Sequence, residues 1–133
     1  MARMSPITVR RTYGRIASHD LQSRRRGSET LSQFSGGPAK LRPALLLASL
    51  PGPYQTQLVC GVSTQLHQQV PDWDELIQPG DADFPSSGLH RASIIRLSYL
   101  HATDPTEFAG AIGQVDAARL DRLLTRLADH LHP

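Results

Sequence analysis

The 133-residue chain is 39% hydrophobic and 5% aromatic, enough for one domain with a modest core. Its longest unbroken apolar run, residues 44–48, is far too short to span a bilayer. The N-terminus lacks the apolar region of a signal peptide, and a lone cysteine, Cys60, excludes an internal disulfide and suits a reducing compartment. The net charge of +2 averages two unlike parts: residues 1–42 hold nine Lys/Arg against two Asp/Glu, and residues 43–133 hold five against ten, which excludes a basic surface extending over the whole C-terminal part.

From the N-terminus, residues 1–39 are rich in Ser, Arg, Gly and Thr and show little periodicity. Arg24, Arg25 and Arg26 form a basic cluster, read as part of a solvated arm, and Ser35-Gly36-Gly37-Pro38 reads as a loop. Regularity begins at Ala44. Residues 44–49 form a buried-strand pattern, Leu50-Pro51-Gly52-Pro53-Tyr54 a turn, and residues 57–63 a second strand that encloses Cys60 as a buried thiol. A polar loop over 64–72 leads to a short strand at 75–78 and an acidic loop at 81–88. A strand follows at 92–99, centred on Ile94 and Ile95. Asp104, Pro105 and Glu107 carry the cap, first-position proline and third-position acid of a helix that Gly110 and Gly113 keep short.

A longer helix begins at the cap Asp116, with Val115 placed to pack on Leu120 as a hydrophobic staple. Leu120, Leu123, Leu124, Leu127 and Leu131 fall on one face. Arg119, Arg122, Arg126 and Asp129 lie off that stripe. Short strands at close spacing, then a docked helix, predict a compact, mainly β chain of the α+β class.

Two segments carry the chemistry. Lys40-Leu41-Arg42-Pro43-Ala44 opens one apolar run, and Leu58-Val59-Cys60-Gly61-Val62 ends in Ser63-Thr64-Gln65. If the two runs are neighbouring strands, a permanent cation and a hydroxyl share one rim of a small sheet. That pairing suits an anionic ligand such as a phosphodiester. Further along stand Gly88-Leu89, Ser93-Ile94-Ile95-Arg96 and Ile112-Gly113-Gln114-Val115.

In this order the four pieces resemble the PemK/MazF family, the toxins of type II toxin–antitoxin pairs, over roughly residues 40–133. The resemblance implies an SH3-like small barrel with a C-terminal helix. It also implies a cytoplasmic homodimer that cleaves single-stranded RNA, selectively by sequence, to a 2′,3′-cyclic phosphate. No metal or other cofactor and no membrane would take part, and a partly disordered cognate antitoxin would inhibit. No Cys/His group here has the spacing of a zinc site.

The family opens with Arg-Gly-Asp and an alternating strand ending in Phe-Pro-Phe. Here Arg26-Gly27 and Phe34 match those ends, but Ser28-Glu29-Thr30-Leu31-Ser32-Gln33 between them holds one aliphatic residue. Residues 1–39 are therefore read as an irregular basic segment, disordered or out of frame with the family pattern, ahead of a toxin domain at 40–133.

Metal-free RNA cleavage needs the 2′-oxygen to attack phosphorus. Charge on the phosphoryl oxygens must be offset, and the leaving 5′-oxygen must gain a proton. By resemblance Arg42 would stabilise the transition state and Ser63 would assist it. Lys40, Thr64, Gln65, His67 and Arg96 would bind RNA, Arg96 by positioning phosphate. Plasmid-encoded family members place an acid two residues after that arginine, where this chain has Ser98. His101 is a lesser candidate for carrying a proton. Two other readings are a non-catalytic binder on the same scaffold, since the related CcdB toxins poison gyrase, and a degenerate, inactive relative.

Overall fold

The computed structural model describes residues 4–11 and 41–133. Six strands form one sheet: β1 (Met4–Arg11), β2 (Leu41–Ser49), β3 (Gln57–Ser63), β4 (Glu75–Ile77), β5 (Ser93–Thr103) and β6 (Phe108–Asp116). A short helix α1 (Phe84–Ser87) precedes β5, and the long helix α2 (Ala117–Leu131) follows β6 directly. The spatial order is β4-β5-β3-β2-β1-β6, and each neighbouring pair is antiparallel.

The sheet is curled, and one side chain shows why. Arg119 sits three residues past the end of β6, at one edge of the sheet. Its Nη1 donates to Leu76 O and Glu75 Oε1, both on β4 at the opposite edge. Bringing the edges to one helix wraps the sheet into a half-barrel around the apolar face of α2. The result is the mainly β, α+β small-barrel architecture expected from the sequence.

The core follows from strand alternation. Leu45, Leu47, Cys60, Val62, Ile77, Ile95 and Leu97 line the face that meets Val115 and Leu123. Each such aliphatic side chain contributes roughly 1.5–3 kcal/mol by leaving water. The leucine stripe of α2 holds as read: Leu123 and Leu127 are buried, and Leu120 and Leu124 pack against the cluster. Leu131 has passed the end of the sheet and is 71% exposed. The cap is also as expected, with Arg119 N–H donating to Asp116 Oδ1 at 2.9 Å.

Three elements differ from the sequence reading. The expectation of an irregular N-terminal arm does not hold for residues 4–11, which form β1. Ile7, Thr8 and Val9 are β-branched residues that favour a strand, and pairing with both β2 and β6 satisfies the backbone on two sides. Pro6 falls where β1 pairs with β6 alone, so its missing N–H costs no bond to β2. Residues 12–40, including Arg24–Arg26, the 28–33 segment and Lys40, lie outside the described residues.

The helix expected from Asp104 is a single 3-10 turn, Pro105–Glu107. The cap contact is present, Thr106 N–H donating to Asp104 Oδ1 at 2.9 Å, but the chain then enters β6. Gly113 explains why a glycine-containing strand is used there: an added Cβ would collide with the backbone of Ser86 and Ser87. The acidic loop contains α1, closed by Gly88 in the left-handed region at φ 77° and stitched by Ser87 Oγ donating to Phe84 O.

Candidate nucleic-acid interface

Strand register builds the site. Ala44 pairs with Gly61 across β2 and β3, and Leu45 with Cys60. Those are the last paired positions at this end of β2 and β3; continuing their register two residues further would set Arg42 opposite Ser63. Facing residues on antiparallel strands share a side of the sheet, with Cβ atoms about 4.5–5.5 Å apart. On the next strand Ile94 pairs with Ser63 and Arg96 with Gly61. Arg96 is thus diagonal to Ser63, about 7–8 Å away and within reach of a long side chain. The three residues occupy the face opposite the helix-covered core. Its floor is the buried set Ala44, Val59 and Ile94. On the other side Arg10 stands at the register position beside Arg42.

The two facing groups differ in how they are held. Arg42 is exposed and forms no hydrogen bond or ion pair among the described residues. Ser63 is half-buried, and its Oγ accepts from Gln65 N–H at 3.0 Å. That contact is the local turn a strand-end serine commonly makes. It fixes the oxygen while leaving the hydroxyl proton to donate elsewhere. Thr64, Gln65 and His67 follow on the exposed loop, in and before the 3-10 turn Leu66–Gln68.

Arg96 is partly anchored. Its Nη1 donates to Gln68 Oε1 at 3.1 Å, and its buried Nε lies 3.9 Å from Asp74 Oδ2. Nε itself makes no hydrogen bond, and Nη2 donates to no group among the described residues. His101 shares this face but pairs with Val59, four residues from Ser63. At about 3.3 Å per residue that is some 13 Å, too far for direct proton exchange with a group held at Ser63. Its ring packs instead on Tyr99, with centroids 4.7 Å apart.

Three other arginines, Arg119, Arg122 and Arg126, are engaged elsewhere, while Arg91 is exposed just before β5. Arg119 is buried with every N–H donating. Nε and Nη2 bind Asp83 at 2.8 and 3.0 Å, Nη2 also reaches Asp81 at 3.2 Å, and Nη1 binds Glu75 and Leu76 O. Arg122 and Arg126 converge on Glu75.

Burial alone would raise the Glu75 carboxyl, but hydrogen bonds and positive charge from Arg122, Arg119 and Arg126 hold it below its ordinary value. The Arg119 hydrogen bonds do the same for Asp83 against its burial. Arg119 is stabilised as a cation by Asp83 in spite of desolvation, and Arg122 by Glu75. Burial, with a further push from Asp74, raises the Cys60 thiol far above the usual range, so it stays protonated.

The sequence reading missed two contributors to the site, Asp74 and Gln68. Asp74 is buried, and its Oδ1 accepts from both Ser98 N–H and Ser98 Oγ–H, at 3.1 and 3.0 Å. A carboxylate therefore does reach position 98, from the loop before β4. The available signal was Ser98 itself, a hydroxyl standing where an acid was expected.

Among the described residues no group of His, Cys, Asp and Glu is placed to hold a metal ion. No helix among them is long and apolar enough to cross a membrane. The sequence matches the family described as PemK-like, MazF-like toxin of type II toxin-antitoxin system over residues 12–131, a span that begins before the Arg-Pro-Ala segment. No curated protein matches the chain.

Proposed function

Because the chain belongs to the PemK-like, MazF-like toxins of type II toxin–antitoxin systems, we propose that it is a sequence-selective endoribonuclease acting on single-stranded RNA without a metal. What supports this reading is the β2–β3–β5 register, which, continued from the Ala44–Gly61 pair, puts Arg42 across from Ser63 with Arg96 diagonal to it, and an Arg42 side chain without a partner among the described residues.

Each group has a definable task. Arg42 grips two non-bridging oxygens of the scissile phosphate, a geometry the planar guanidinium matches and an ammonium does not. It offsets the charge that grows as the ribose 2′-oxygen bonds to phosphorus. Ser63, its oxygen fixed by Gln65 N–H, donates to the same phosphoryl group. Arg96 offers Nη2 to the adjacent phosphate, and Thr64, Gln65, His67 and Lys40 contact neighbouring nucleotides.

In the reaction the 2′-O–P bond forms, P–O5′ breaks, the 2′-hydroxyl loses its proton and O5′ gains one. The products are a 2′,3′-cyclic phosphate and a 5′-hydroxyl. A gyrase-binding role has no need of a free guanidinium facing a hydroxyl, so the phosphodiester reading is preferred.

Membership of a type II family implies a protein antitoxin. On this reading the toxin is a cytoplasmic homodimer without membrane association, and a partly disordered cognate antitoxin covers the Arg42 face. Incubating purified protein with single-stranded RNA in the presence of EDTA tests the proposal. Cleavage leaving cyclic-phosphate ends is expected. RNA left intact overturns it.

A further inference from the structure

Asp74 is the buried carboxylate for which neither the core nor the arginine cluster on α2 accounts. Its side chain has no accessible surface. Oδ2 accepts from Val70 N–H at 2.9 Å, and Oδ1 takes the two bonds from Ser98. The remaining neighbour is Arg96 Nε, 3.9 Å from Oδ2.

All four contacts converge on one guanidinium. Ser98 belongs to a three-residue bulge immediately after Arg96: Gly61 pairs with Arg96 and the next residue of β3, Cys60, pairs with Leu100. Pinning Ser98 fixes the backbone from which the Arg96 side chain springs. Val70 closes the loop carrying Gln68, whose Oε1 holds Arg96 Nη1. The direct approach to Nε adds an opposite charge on the inner side of the guanidinium. Nη2 donates to no group among the described residues, and Arg96 lies on the face shared with Ser63.

We infer that Asp74 is a positioning residue that orients Arg96 toward a phosphate of bound RNA, acting through the Ser98 bulge and the Gln68 loop. The inference rests on the ribonuclease reading. It supplies from a separate segment the carboxylate that Ser98 lacks. Asp74 does not touch RNA and takes no part in proton transfer, since its oxygens are occupied and enclosed.

The test is a double-mutant cycle on binding, read by fluorescence anisotropy with a 2′-fluoro single-stranded RNA of mixed sequence, which lacks the attacking hydroxyl. Asp74→Asn is expected to weaken binding about fivefold to tenfold in the wild-type background. In the Arg96→Ala background it should change nothing, because the group it orients is absent. A merely structural role would lower affinity equally in both backgrounds. That result, or no loss in either, overturns the inference.

Should Asp74→Asn fail to fold, Ser98→Ala removes only the Oγ donor. It is expected to cost about twofold to threefold in the wild-type background and nothing beside Arg96→Ala; equal losses or none overturn the inference in that form too. Wild-type protein that does not bind the RNA at all overturns the ribonuclease reading and this inference with it. Wild-type binding with an uncoupled cycle overturns this inference alone.

Discussion

Replacing Arg119 by Met preserves much of the aliphatic stem and deletes all five N–H donors at once. Asp83 loses two hydrogen bonds and retains one, from Asp116 N–H at 3.1 Å. Its side chain is only 4% exposed, so water cannot replace what is lost. Glu75 keeps Arg122 and Arg126, and Asp81 is 31% exposed. The cost is therefore concentrated on one stranded buried carboxylate, a class of change worth about 3–5 kcal/mol. Against a total stability of about 5–15 kcal/mol for a domain, that is a large fraction.

Arg122→Ala is the internal control. Its side chain is 52% exposed and Glu75 retains two arginines, so the loss should stay below about 1 kcal/mol. Urea unfolding followed by the fluorescence of Trp73, the single tryptophan, which packs against the core, measures both. The expected order is a large drop in midpoint for Arg119→Met and a small one for Arg122→Ala, with unchanged slopes. An Arg119→Met loss under about 1 kcal/mol, or one equal to that of Arg122→Ala, would refute the claim that this arginine joins the two edges of the sheet.

Acid should act on the same cluster. Glu75 and Asp83 have carboxyls lowered in the folded state, so their contribution is complete above the ordinary carboxyl range and lost as pH falls through the folded values. Stability should decline below about pH 4, and the decline should shrink in Asp83→Asn; a flat profile from pH 5 to 3 contradicts this. Gly113→Ala forces a methyl group against the carbonyls of Ser86 and Ser87 and should cost about 1–3 kcal/mol by thermal or urea melts, whereas Gly110→Ala meets open space and should be close to neutral. Cys60, buried and held protonated, should react with a thiol reagent only as fast as the protein unfolds; rapid labelling in native buffer would show the thiol is accessible.

The parts legible in the sequence are those whose signal is local. β2, β3 and the first half of β5 are continuous apolar runs. α2 announces itself through the Asp116 cap and a leucine stripe. That Arg42 and Ser63 fall toward the same end of β2 and β3 was readable because each ends such a run, and two antiparallel strands joined by a short turn have little freedom of register. What failed to show depends on partners far along the chain. β1 is a strand because β2 and β6 flank it. β6 carries glycine where close approach to α1 needs it, and that glycine looks like a helix terminator when no neighbour is known. Arg119, off the leucine stripe, reads as a solvated helix residue until Asp83 and Glu75 are brought to it from the loop and strand 36 and 44 residues earlier. Asp74 belongs to the same class, since its meaning lies in a bulge 24 residues further on.

The central proposal is that the Arg42 guanidinium on β2, which has no partner among the described residues, does the chemistry on RNA. Its most direct test compares wild-type and Arg42→Ala protein for cleavage of single-stranded RNA in EDTA, alongside their unfolding midpoints. Loss of at least about a hundredfold in rate with stability unchanged within about 0.5 kcal/mol is the predicted result. Equal cleavage by the two proteins would contradict the account, because the guanidinium proposed to face the scissile phosphate would then have no catalytic consequence.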